Sequence, residues 1–326
     1  AQEALRTGLN PPDELLIPSV FIKTIKRIYD ENRNYEEAIV LADRVLLRER
    51  YLHANTVNHV RFIKCQSLAR LRDSNFFTEV RKVPEPDRSF LHGFYYRLSG
   101  DYVKAESSLS SILQRNKNRR DPRVLGELVL VYMQSDEYDK AFDLAKENYR
   151  SRPANPINAN NYFACLIMKD RSVENREELT KVLNRLFIDP SERAQEMTDS
   201  MRSRITAYYD EDEIESFRLI EDAIQKYPNI DYPLLTKADL AAHFGNKEKL
   251  AEAVITLDRV TGRKAQSFRT VVKYKAMLLA MQGDAYQAKQ LIRRELSGLI
   301  GTALQRLNER IDDLAEKSKL PSSGGR

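Results

Sequence analysis

Between Ser89 and Pro153 one small pattern of residues occurs twice, and a chain that repeats itself at this period has few folds open to it. In the first copy Gly93, Tyr96, Gly100, Tyr102 and Ala105 follow one another at steps of 3, 4, 2 and 3. In the second, Leu125, Leu128, Tyr132, Tyr138, Ala141, Ala145 and Pro153 keep the same frame, with Tyr138 lying 36 residues after Tyr102. Each copy has room for two helices and a turn. A hairpin of that size cannot bury its apolar face alone, so the copies must stack. Small residues at Gly93, Ala105, Ala141 and Ala145 let paired helices approach closely, while the tyrosines fill the space between one hairpin and the next.

Composition extends this reading to the whole chain. Only 11 glycines and 12 prolines punctuate 326 residues, alternating β-branched runs are scarce, and Leu, Ala, Glu, Lys and Arg dominate, so an all-α protein is expected. A hydrophobic share of 42% suffices for a core, and at about 35–40 residues per hairpin the chain has room for roughly eight. The 53 basic residues nearly balance the 48 acidic ones, and a net charge of +5 spread over so many groups describes a solvated surface rather than a dedicated polyanion binder. Two cysteines, Cys65 and Cys165, form no framework and suit a reducing compartment as small buried hydrophobes. Apolar runs such as Leu128 to Met133 are far short of the roughly 18 residues of a spanning helix, and nothing at the start reads as a secretory signal. A soluble, cytoplasmic protein is expected. The chain lacks an initiating Met and ends Pro321-Ser322-Ser323-Gly324-Gly325-Arg326, in keeping with a segment excised from something longer.

The spacing and residue types of the two central copies resemble the tetratricopeptide repeat, whose signature places a small residue eight into the first helix, an aromatic three later, a turn, and an alanine opening the second helix. The resemblance covers residues 19 to about 296, strongly in four repeats and loosely in the rest. It implies a right-handed α-solenoid of about eight helical hairpins, closed by a C-terminal capping helix.

In chain order, residues 1–18 are a lead-in or linker broken at Asn10, Pro11, Pro12 and Pro18. The solenoid is expected over 19–318. Phe21, Ile25 and Ile28 mark its first helix, and Tyr35, Ala38, Ala42 and Val45 the second. The next pair departs from the frame, since Glu79 stands where alanine is expected and Pro84 and Pro86 end its second helix early. Asp121-Pro122, Asn155-Pro156 and Asp189-Pro190 each set a capping side chain before a proline at the first helical position, and so mark three helix starts. The acidic run Asp210 to Glu213 reads as a helix cap rather than a metal site. Ile220, Ala223 and Pro228 fit the second half of a repeat, and Gly245 and Gly283 mark turns. Leu304, Leu307, Ile311 and Leu314 share one face of the capping helix, and 319–326 is a flexible tail.

No chemistry-bearing motif emerges. No glycine is followed directly by lysine, as a phosphate-binding loop requires, and there is no GxSxG elbow. His53, His59, His92 and His243 are scattered without ligand spacing. No catalysis, metal or cofactor is therefore expected.

The resemblance implies a concave groove lined by the first helix of each hairpin. Its frame turns Lys23 and Arg27, Arg61 and Lys64, Phe90, Phe94 and Arg97, Arg123, then Asn160 and Asn161 toward that groove. Asn161 stands where related repeats use an asparagine amide on a ligand's backbone, and an amide supplies both donor and acceptor. The expected function is a non-catalytic scaffold holding a peptide or protein partner along a partly basic groove. The alternative, by analogy of architecture alone, is the ligand-sensing arm of a larger STAND- or NLR-like signalling NTPase. A second alternative is a single-stranded RNA-binding solenoid, invited by Arg115, Lys117, Arg119, Arg120 and Arg123. That basic stretch lies at a turn, without an interleaved aromatic to stack a base, so specific nucleic-acid binding is not expected.

Overall fold

A computed structural model of the chain describes residues 18–30, 34–115, 121–135, 137–169, 172–188, 192–228, 231–260, 268–296, 299 and 301–318. Among these there are seventeen α-helices and no strand. The chain divides into two compact units, Ala1–Asn118 and Arg119–Arg326. The boundary between them falls within the basic stretch 115–123, of which 116–120 lie outside the described residues.

The first unit holds α1 (Pro18–Asp30), α2 (Tyr35–Leu46), α3 (Ala54–Leu71), α4 (Phe76–Val80), α5 (Asp87–Ser99) and α6 (Tyr102–Arg115), with a 3-10 turn at Glu49–Tyr51. The second holds α7 (Pro122–Gln134), α8 (Tyr138–Ser151), α9 (Pro156–Lys169), α10 (Val173–Phe187), α11 (Glu192–Tyr209), α12 (Glu213–Lys226), α13 (Asp231–Phe244), α14 (Lys247–Val260), α15 (Phe268–Met281), α16 (Ala285–Glu295) and α17 (Gly301–Lys317). Within each unit, odd-numbered helices begin hairpins and even-numbered helices return. Each first helix packs on its own second helix and on the first helix of the next hairpin, so that α1, α3 and α5 form one row and α7, α9, α11, α13, α15 and α17 another. Each unit is an α-solenoid, of three hairpins in the first and five in the second, with α17 packed on α15 and α16 as the expected cap.

Capping chemistry places the helix starts. Asp121 accepts from Arg123 N at 2.9 Å and Asn155 from Ile157 N and Asn158 N at 3.0 and 3.1 Å, each with proline at the first helical position. Asp212, in the acidic run read as a cap, accepts from Glu215 N at 2.9 Å and starts α12. Asp189 and Pro190 lie outside the described residues. Gly100 (φ 82°) and Gly283 (φ 90°) close hairpin turns in left-handed conformations that other residues adopt at a cost.

Small residues set the helix spacing. A Cβ added at Gly93 on α5 would lie 2.5 Å from Leu109 Cγ on α6, so the two helices meet where one has no side chain. Ala38, Ala42, Ala105, Ala141, Ala145, Ala253 and Ala288, all on second helices, are buried.

Two lysines fasten consecutive hairpins. Lys64 on α3 is buried between Asp43 of the preceding second helix (2.6 Å) and Glu79 of its own (3.2 Å). Lys237 on α13 is held in the same way, by Glu221 on α12 (3.4 Å) and Glu252 on α14 (3.0 Å). The departure at Glu79 therefore has a physical reason, since the position supplies a carboxylate to the lysine of the paired helix. Burial works against the charge on Lys64, but hydrogen bonds to Asp43 and Glu79 outweigh it and hold its pKa above the ordinary value. Burial would likewise raise Glu79, yet its bonds from Lys82 and Lys64 hold it below 4.5.

Two outcomes are expected. Gly93→Ala overpacks the α5–α6 contact and lowers stability by about 1–3 kcal/mol; an unchanged thermal midpoint would show that the helices do not meet there. A carboxylate whose folded pKa is depressed stabilises the fold above its unfolded pKa and loses that contribution as pH falls through the folded value. Urea unfolding below about pH 5 is therefore expected to show a shallower loss of stability in Glu79→Gln than in the parent. Parallel slopes would remove Glu79 from the clamp.

Candidate functional site

The structure separates the ten side chains that the repeat frame turned toward a groove. Lys23 and Arg27 are exposed on α1. Arg61 is half-buried and pairs with Glu49, and Lys64 is the buried clamp between hairpins. Phe90 and Phe94 are core residues of α5, with Phe90 stacked on Phe62 and Phe94 at ring distances of 5.9 and 6.4 Å. Arg97 is only 1% exposed, its guanidinium 5.5 Å from the Phe94 ring. The reason is that α5 packs against α3, α4 and α6 together, so the face carrying residues 90, 94 and 97 is covered. Arg123 is exposed at the start of α7 and is tied to Asp121 at 2.8 Å. Asn161 is 5% exposed, because α9 is enclosed by α7, α8, α10 and α11. Asn160 is half-buried and belongs to a larger polar cluster in the second unit.

That cluster is built on consecutive first helices. On α11, Glu196, Ser200, Arg204 and Tyr208 recur every four residues and so share one face. Tyr232, Thr236, Asp239 and His243 lie on the neighbouring α13, and Tyr274 on α15. Asp239 is the hub. It pairs with Arg204 Nη2 at 3.5 Å and accepts from Tyr208 Oη at 3.2 Å and Tyr274 Oη at 3.5 Å. The Arg204 guanidinium also lies 5.8 Å from the Tyr232 ring, and the Tyr232 hydroxyl donates to Asn160 Oδ1 on α9. The Tyr208 and His243 rings meet tilted, with centres 4.2 Å apart. One connected network therefore joins α9, α11, α13 and α15.

Electrostatics follow from burial. The side chain of Arg204 is 15% exposed. Desolvation works against its charge, and the surrounding Tyr232 and Asp239 outweigh that penalty. Burial first, and Asp239 second, push the hydroxyls of Tyr208 and Tyr274 far above the ordinary phenol range. These tyrosines are hydrogen-bond donors at any physiological pH. The cluster offers directional donors and acceptors with balanced charge, Arg204 and Arg310 standing against Asp239 and Glu196.

Sequence reasoning missed Arg204, Tyr208, Tyr232, Asp239 and Tyr274. The usable signal was the pairing of charge and aromatic at i and i+4, Arg204 with Tyr208 and Asp239 with His243, on helices otherwise lined by small and apolar residues.

Elsewhere, a shallow cleft between α10, α11 and α12 is lined by Arg176, Thr180, Lys181, Arg202, Thr206 and Leu219, on side chains other than those of the cluster. Among the described residues no group of His, Cys, Asp or Glu is placed to hold a metal, and no helix is long and apolar enough to cross a membrane. Cys65 and Cys165 are buried, and burial pushes both thiols up to about 12.

No protein-family model and no curated protein matches the chain. Among solved structures it is similar to a tetratricopeptide repeat protein from Parabacteroides merdae, at 17% identity over 86% of this chain and 99% of that one, with a TM-score of 0.42. It is also similar to the human IFIT1 dimer with PPP-AAAA, at 15% identity over 96% and 77% of the two chains and a TM-score of 0.48. A third is Naa15/Naa10 bound to HypK-THB, at 14% identity over 92% and 52%, with a TM-score of 0.32. The helix pairing and the recurring frame of small and aromatic residues, apart from these similarities, make the chain a TPR-like helical repeat protein.

Asp239→Asn removes the charge that, after burial, raises the neighbouring phenols. Carbon NMR at neutral pH is expected to show the ring ζ-carbon shifts of Tyr208 and Tyr274 moving as their bonds to the carboxylate are lost. Tyr162 on α9, pushed up to about 12 by burial and Glu178, should stay in place. Equal movement of all three, or of none, would contradict the cluster.

Proposed function

We propose that the chain is a non-catalytic scaffold that binds a peptide or protein partner, with the first-helix row of its second unit as the contact surface. The observation that carries this reading is the Asn160–Arg204–Tyr232–Asp239–Tyr274 network, which spreads hydrogen-bonding side chains over four neighbouring first helices. Packed helices lie about 8–10 Å apart, and an extended peptide advances about 3.3 Å per residue. Every third residue of such a peptide would thus meet a new helix. A polar, charge-balanced lining suits main-chain amides, which present donors and acceptors without net charge.

The same balance argues for protein over nucleic acid. Binding a phosphate backbone needs cations free to replace counterions, whereas Arg204 faces Asp239 and Arg123 is tied to Asp121. Two buried cysteines without a disulfide fit a cytoplasmic setting.

Affinity capture followed by a titration of the recovered partner tests the proposal. Hydrogen bonds to charged groups contribute about 1.5–3 kcal/mol, so Arg204→Leu combined with Tyr208→Phe is expected to weaken binding roughly 10- to 100-fold. Arg115→Glu, on α6 of the first unit, should leave it unchanged. Equal affinity for the parent and both variants, all shown to be helical by circular dichroism, would reject the row as the contact surface.

A further inference from the structure

The polar cluster has an arrangement that a simple open surface would not need. Asn160 and Tyr232 lie 72 residues apart on α9 and α13, two first helices with α11 standing between them in the row. At ordinary helix spacing a flat row would put α9 and α13 roughly 16–20 Å apart. A direct bond between an asparagine and a tyrosine side chain therefore reaches past α11 and sets the Tyr232 ring beside Arg204, whose guanidinium is 5.8 Å from the ring centre.

The closed arrangement leaves polar groups in want of partners. Arg204 Nε is buried with no hydrogen-bond partner among the described residues, and so are Ser200 Oγ, one turn earlier on α11, and Thr236 Oγ1 on α13. Thr236 falls in sequence between Tyr232 and Asp239, the two α13 residues that Arg204 touches. A buried donor without a protein partner disfavours the state that contains it relative to one in which a partner is supplied.

We propose that the Tyr232–Asn160 bond is a latch that holds the first-helix row of the second unit closed, and that release of the latch exposes Arg204, Thr236 and Ser200 to the main-chain carbonyl oxygens of an extended peptide. The acceptor is a carbonyl rather than a carboxylate because the charges on this face are already matched, Arg204 and Arg310 against Asp239 and Glu196. A partner that takes these donors binds the open row and not the closed one, so it shifts the population toward opening. This deepens the binding reading given above and rests on it for the identity of the ligand, whereas the latch itself is testable without any ligand.

The test is hydrogen–deuterium exchange on the full chain, alone, for the parent, Tyr232→Phe and Asn160→Ala. The two variants remove the bond from opposite sides, so a defect particular to one side chain shows as disagreement between them. Loss of one hydrogen bond is expected to speed exchange in α9 and α13 about 2- to 10-fold, with α2 and α3 of the first unit unchanged. Unchanged exchange in α9 and α13 of both variants overturns the latch, whatever binds.

A second measurement uses a pool of neutral, unstructured ten-residue peptides, with poly-L-glutamate as the alternative arm. The pool is expected to bind Tyr232→Phe several-fold more tightly than the parent, and Arg204→Leu in that background to abolish the gain. A gain seen with poly-L-glutamate alone overturns the carbonyl assignment. Faster exchange with no gain for either probe overturns the ligand half of the proposal and leaves the latch intact, which separates failure of the device from failure of the binding reading.

Discussion

A helix cannot bury its apolar stripe by itself, and how closely it approaches a neighbour is set by the side chains at the contact. Here that distance is set by residues with little or no side chain. Gly93 meets Leu109 at a separation that would not admit a Cβ, and buried alanines recur along the second helices. Close pairing makes each hairpin a flat unit with two faces to cover. The only surfaces of matching shape are the faces of the next hairpins, so stacking follows. Departures from the repeat frame are tolerated wherever a hairpin still offers a face. The shortened α4, five residues long, still packs on α3 and α5.

Stacking fixes which groups meet, and the chain uses this to place charge. The first helix of a hairpin lies between two second helices, its own and the preceding one. Lys64 and Lys237 occupy that slot and draw a carboxylate from each side. Burying an ammonium is costly unless it is paired, so each of these lysines depends on the carboxylates on both sides. A slip of one hairpin against the next would leave the charge buried and alone. The polar cluster of the second unit works on the same principle along the row of first helices. Asp239 collects Arg204 and Tyr208 from α11 and Tyr274 from α15, and Tyr232 reaches back to Asn160 on α9.

Much of the fold was legible in the sequence because its determinants are local. Asp121 and Asn155 before prolines, Asp212 in its acidic run, and glycines at the turns act within a few residues of where they stand. The hairpin frame recurs at short period and can be read by counting. Side-chain orientation was less legible. The frame turned Phe90, Phe94 and Arg97 outward, but α5 is covered by three helices, and how many neighbours a helix has is a property of the stack. Asn161 fails for the same reason on α9. The Arg204 cluster was missed because its bonds join residues 31 to 72 apart in a region where the small-and-aromatic frame loosens. Glu79 was visible as an anomaly, and only the structure supplied Lys64 as its cause.

The central claim is that side chains from alternate hairpins act as one network through Asp239. A double-mutant cycle on Tyr208→Phe and Tyr274→Phe measures this directly, since the two tyrosines sit on α11 and α15 and both donate to that carboxylate. Urea unfolding of the parent, both single variants and the double variant is expected to give a coupling energy of about 0.5–3 kcal/mol, as for residues of one hydrogen-bond network. Strictly additive effects would show that the two hydroxyls do not meet at Asp239, and the network would not exist as described.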